Sequence, residues 1–139
     1  IMNEDFVPFE LAVKLKEKGF NYPCIAHYDI NKKLRVVIRE PIFWHSDVLS
    51  YIDAPTISQV LKWLREEKKI HITVLVITDC SKDADNNICE EWSFWSFYVT
   101  NLNDGSTVYD DFEKIDCIEY QSYKEATLAG IEYVLNNLL

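Results

Sequence analysis

The chain has 139 residues, 48% of them hydrophobic, and its 14 basic and 23 acidic residues give a net charge of −9. That length suits one domain, which buries roughly two-thirds of its unfolded surface and so needs neither disulfides nor a metal to hold a core. The charge argues against a nucleic-acid binder working by phosphate neutralisation and against an anionic membrane surface; it fits solubility, a basic protein partner or a bound cation.

Pro8 to Lys18 reads as a helix, with proline at a position where its missing N–H costs nothing. Leu11, Leu15 and Lys18 share one side, with Ala12 beside them, and Gly19 and Phe20 fall at C′ and C″ of a Schellman stop. Cys24–Ile30 and Leu34–Arg39 form the arms of a hairpin turning at Asn31, Lys32 and Lys33. Pro41 to Pro55 is irregular, with room for a short helix at 46–51. It carries Trp44, His45 and Tyr51, and loops this long in compact domains are often functional.

Thr56 and Gln59 make a capping box, followed by the apolar stripe Ile57, Val60, Leu61 and Leu64. Ile70–Thr78 is a strand whose second half is apolar on both faces, which predicts a central place in a sheet. Asp79–Glu91 reads as an acidic loop, Trp92–Thr100 as a strand and Asn103-Asp104-Gly105 as a turn. Ser106–Tyr109 pairs back, and Ile115–Tyr120 supplies a last strand. Ser122 and Glu125 form a second capping box, opening a helix with Leu128, Ile131, Leu135 and Leu138 on its apolar side. The expected order is α-β-β-α-β-β-β-α in one α+β domain over residues 1–139. Its simplest layering is a mostly antiparallel sheet of about five strands with three helices against it.

Three stretches resemble small uncharacterised proteins encoded by prophages and phages of gut bacteria. They are Phe6–Ala12, Ala54–Glu67 running on to Ile70-His71-Ile72, and Tyr120–Ala126 running on to Gly130-Ile131. The matching residues are helix caps and helix faces, so the resemblance implies a setting and no mechanism. It covers neither the aromatic strand nor the 41–55 segment, and no site residue is carried over from it.

Asp79, Ser81, Asp83, Asp85, Asn87 and Glu90 occupy positions 1, 3, 5, 7, 9 and 12 of a calcium-loop template, which converges oxygens on a hard cation. Against calcium stand Ala84 where the sharp turn wants glycine, Asn86 where an apolar residue is usual, and strands in place of flanking helices. The competing reading is a solvated acidic loop. Cys24 and His27 are spaced as in some metal sites, but residues three apart on a strand point to opposite faces. Cys80 and Cys89 are able to meet across the loop, yet no second Cys/His pair at zinc spacing accompanies them. No P-loop, dinucleotide-binding glycine pattern or nucleophile elbow is present, and no cofactor is expected.

Trp92, Phe94 and Tyr98 lie on one face of the aromatic strand, and Trp95 and Phe97 on the other. Such a strand is either a two-sided core strand, a wall for a ligand, a stacking platform or a protein interface; platforms come with basic grooves, which this chain lacks. Two function classes follow. The first is a non-catalytic accessory protein acting through a protein partner or self-association, in one version as an acidic blocker of a basic site, with Trp44, His45, Tyr51, Trp92, Trp95 and Phe97 as binding residues. The second is an enzyme or small-ligand binder with a pocket between residues 41–55 and strand 92–99. Asn3, Glu4 and Asp5 stand where a signal peptide is basic, so a cytoplasmic location with reduced thiols is expected.

Overall fold

The computed structural model describes residues 5–36, 51–114 and 116–139. They form three helices and two three-stranded antiparallel sheets, in the order α1 (Phe9–Glu17), β1 (Ala26–Tyr28), β2 (Leu34–Val36), β3 (Ile52–Asp53), α2 (Ile57–Glu67), β4 (Ile70–Lys82), β5 (Ile88–Asn101), β6 (Thr107–Asp110) and α3 (Tyr123–Asn137). The chain is α+β as expected. Its strands divide between two sheets instead of filling one, and β3 adds an element to the expected order. Two compact units result, residues 1–68 with 131–139 and residues 69–130, the division falling within α3.

In the first unit, α1 buries Leu11, Ala12 and Leu15 and stops as a Schellman motif. Phe20 N–H donates to the Leu15 carbonyl (2.9 Å) and Gly19 N–H to that of Lys16 (3.1 Å), with Gly19 at φ 88°. That left-handed geometry costs glycine least. The sheet has the order β2-β1-β3, with Ala26 opposite Val36 and His27 opposite Asp53. Residues 37–39 of the expected second arm and residues 46–50 of the expected short helix lie outside the described residues.

The α2 capping box forms in both directions, Gln59 N–H to Thr56 Oγ1 at 3.1 Å and Thr56 N–H to Gln59 Oε1 at 2.9 Å. Ile57, Val60 and Leu64 are buried as the stripe predicts, and Trp63 joins them with the Phe20 ring edge-on at 5.3 Å. Each such buried side chain contributes about 1.5–3 kcal/mol.

In the second unit, β4 and β5 pair from Ile70–Asn101 out to Lys82–Ile88. This corrects the acidic loop: residues 79–82 and 88–91 are strand, and only 83–87 turn. The three-residue loop Ala84–Asn86 suffices because Asn86 adopts φ 67°, closing a tight turn onto a long ladder. β5 then pairs with β6 over Tyr98–Thr100, giving the order β4-β5-β6. Among the described residues β4 is therefore an edge strand and not a central one. Apolar residues on both faces report what lies above and below a strand, not what lies beside it.

The register puts Ile72, Val74 and Val76 with Val99, Phe97 and Trp95 on one face, and Leu75, Ile77 and Asp79 with Ser96, Phe94 and Trp92 on the other. α3 lies against the first face at Gly130, where an added Cβ would stand 2.7 Å from Ile72 Cγ2 and 3.2 Å from the Phe97 ring. On α3 the buried positions are Ala126, Thr127, Gly130, Ile131, Val134 and Leu135. The buried stripe is thus rotated from the expected one: Leu138 is exposed, and Thr127 is accommodated because its hydroxyl donates to the Tyr123 carbonyl (2.7 Å). Residue 115 of the strand expected at 115–120 lies outside the described residues; residues 116–120 form no strand and hold one bridge, Tyr120 to Trp95.

Candidate functional site

Beyond the Trp95–Tyr120 bridge, β4 and β5 continue as a two-stranded ribbon. No side chain from 82 to 93 is buried, and the stretch is exposed throughout. Its acids are Asp83, Asp85, Glu90 and Glu91, against one base, Lys82. An exposed two-stranded ribbon hides little apolar surface, so its large rings must find local support.

Trp92 finds it in Glu119, whose Oε1 accepts the indole Nε1–H at 2.9 Å. The ring stays 37% exposed, while Phe94, two residues on and on the same face, is 4% exposed and stacks tilted against Phe112 at 6.2 Å. Alongside β5 opens a shallow recess of about 550 Å³, lined by Glu90, Glu91, Trp92, Ser93, Glu119 and Gln121. Gln121 Nε2–H donates to the Glu119 carbonyl (3.1 Å), tying down the segment that carries the carboxylate. Ile88, Phe112 and Ile118 in the same unit are also exposed. Aromatic and aliphatic side chains set among acids fit a cationic, partly apolar partner, because a cation is attracted both to carboxylates and to the face of a tryptophan.

The other expected site residues are dispersed. Trp44 and His45 lie outside the described residues, as does the 41–50 side of the expected pocket. Tyr51 belongs to the first unit and meets His27 edge-on at 4.7 Å. Trp95 is half-buried, exchanging backbone hydrogen bonds with Tyr120 (2.8 and 3.1 Å) and touching Tyr123 edge-on at 5.7 Å. Phe97 is 2% exposed beside Tyr109 and Tyr120, so it is core and offers no binding surface.

The calcium-template residues do not surround one point. Asp79, Ser81 and Glu90 are on strands, with Asp79 opposite Trp92 and Ser81 opposite Glu90, while Asp83 and Asp85 are in the turn. Asp83 Oδ1 is already occupied by the N–H groups of Asp85 and Asn87. Among the described residues no group of three or more His, Cys, Asp and Glu side chains is placed to hold a metal ion.

All four thiols are free. Cys80 stands opposite Glu91, and Cys89 is the extra residue where the register shifts, so the two are not partners. Burial, with a smaller contribution from the Asp53 charge, pushes the Cys24 thiol up to about 12, which suits a packed thiol and not a nucleophile. Glu119 is absent from the expected site because it is distant from Trp92 in sequence, and the Trp95–Tyr120 bridge brings its segment alongside.

Comparison with protein-family models, with curated proteins and with solved structures gives no match for this chain. No helix among the described residues is long and apolar enough to cross a membrane.

Proposed function

We propose that the chain is a non-catalytic accessory protein that acts by protein–protein interaction, presenting the acidic, aromatic ribbon to a basic segment of its partner. The observation that carries this reading is Trp92, exposed and held by Glu119 beside Glu90 and Glu91. A Lys or Arg side chain entering the recess meets a ring face and carboxylates together, and its alkyl stem covers apolar surface. The net charge of −9 would steer such a partner toward the chain. The phage and prophage setting rests on the resemblance of helix caps and helix faces alone.

The test is fluorescence anisotropy of a labelled arginine-rich peptide titrated with the chain. Expected are saturable binding that weakens with salt and a clear loss in Trp92→Ala and in Glu119→Gln. Binding equal in the wild type and both variants would sink the reading, as would no binding at low salt.

A further inference from the structure

We infer that β4 pairs with β4 of a second copy of this chain, joining two β4-β5-β6 sheets into one antiparallel sheet. β4 is 13 residues long and occupies an edge; among the described residues no strand runs along its other side. An open edge presents a row of N–H and C=O groups, and natural sheets guard such edges with charge, proline or a bulge. Ile70–Thr78 contains no Asp, Glu, Lys, Arg or Pro, and the register shift with β5 comes only at Ser81/Lys82. The other open stretches of this sheet are guarded. Glu90 and Glu91 stand in the part of β5 beyond the Trp95 bridge, and β6 has only 4 residues and ends in Asp110.

Symmetry and charge name the occupant. Two antiparallel strands related by a two-fold axis must bring like faces to the same side. Ile72, Val74 and Val76 then lie beside Val76, Val74 and Ile72 of the other copy, forming one apolar ladder. Val76, 51% exposed, gains the cover it lacks. A pairing centred on Val74 also sets Asp79 of each copy opposite Lys69 of the other, at both ends of the seam. Centres at Thr73 or Leu75 set Lys69 against Ile77 or Ser81 and forfeit that match. With −9 on each chain, like charge opposes self-association, and Ile70–Thr78 carries none of that charge.

The test is sedimentation equilibrium across the micromolar range, with circular-dichroism melts confirming that each variant folds. The wild type is expected to show twice the chain mass. Val76→Lys, at an exposed position, should raise the dissociation constant about tenfold or more by placing cations in the ladder. Asp79→Lys should weaken the dimer about threefold to tenfold, and adding Lys69→Asp should restore it. A monomeric wild type overturns the inference and leaves the edge to an extended segment of a different protein. A dimer indifferent to Val76→Lys, or not restored by the charge swap, overturns it equally by placing the seam elsewhere.

Discussion

Asp29 and Asp83, in the turns of hairpins in two different sheets, each set one carboxylate oxygen against two backbone N–H groups of the turn they head. Asp29 Oδ1 accepts from Asn31 (2.8 Å) and Lys33 (3.0 Å), and Asp83 Oδ1 from Asp85 (2.9 Å) and Asn87 (2.9 Å). In both turns the third residue after the aspartate is left-handed, Lys32 at φ 61° and Asn86 at φ 67°. Its N–H closes on the aspartate carbonyl at 2.9 and 3.0 Å respectively. One turn design thus closes two unrelated hairpins, and the side chain holds it where no glycine is present.

Asp83→Ala should cost about 0.5–1 kcal/mol, since water takes over the two exposed N–H groups only in part. Asp83→Asn keeps an acceptor oxygen and should cost less. The check is the urea midpoint of each variant at unchanged slope.

Acid should loosen the first hairpin through Asp29. Its carboxyl is held below the ordinary aspartate range, first by the Lys33 N–H, with Arg35 (3.0 Å) and Asn31 adding to it. A lowered folded pKa gives stability that is complete above the unfolded value and is lost as pH falls through the folded one. Tm measured down the acid range should fall less steeply in Asp29→Asn than in the wild type.

Gly130→Ala sets two effects against each other. Alanine favours a helix interior by about 1 kcal/mol, while a Cβ 2.7 Å from Ile72 Cγ2 forces repacking that costs about 1–3 kcal/mol. The same Cβ would stand 3.2 Å from the Phe97 ring, so two neighbours must give way, and a net loss of about 0–2 kcal/mol is expected. A gain in Tm would mean that α3 shifts freely over the sheet.

The thiols should react in a fixed order. Cys89 is exposed and should alkylate rapidly, whereas Cys24, buried and with its thiol hydrogen on the Tyr22 carbonyl at 3.4 Å, should label only on unfolding. With its pKa raised to about 12, its contribution to stability is complete below the ordinary thiol range and is lost as pH rises toward 12. Mass spectrometry after timed alkylation orders the sites.

Trp92→Ala and Phe94→Ala should differ sharply although both rings share a face. Phe94 is core, and its loss should cost about 3–5 kcal/mol. Trp92 should cost about 1 kcal/mol or less, as surface substitutions do. Equal losses in thermal melts would make Trp92 a structural ring and remove the ground for a recognition site.

The elements legible in the chain are those whose instructions are local. Thr56 and Gln59 cap each other within one turn of helix. Gly19 stops α1 through bonds that reach back no further than Leu15. Ser122 Oγ accepts from Glu125 N–H (3.1 Å), though the Glu125 carboxylate serves Gln121 N–H (3.0 Å). What stayed hidden depends on partners remote in sequence. β3 is two residues long and exists because β1 offers His27 and Tyr28 to pair with. The polar ends of β4 and β5 mimic a loop because neither face there is covered, and the ladder alone makes them strand. Leu128 and Leu138 outrank Thr127 and Gly130 in hydrophobicity, yet Gly130 is the position that lets α3 approach Ile72 and Phe97. In the sequence Trp92, Trp95 and Phe97 stand alike as binding residues; Trp92 is exposed and Phe97 buried, a difference that residue type alone does not carry.

The meander order of β4, β5 and β6 also sets a sequence of events in time. Each strand pairs with its successor across a short loop, and hairpins of this kind close in about 1–10 μs. The approach of Gly130 to Ile72 must wait until most of the unit's chain has been drawn in, a slower search. Changes at Asp83 should therefore appear in the refolding rate, and changes at Gly130 in the rate of unfolding.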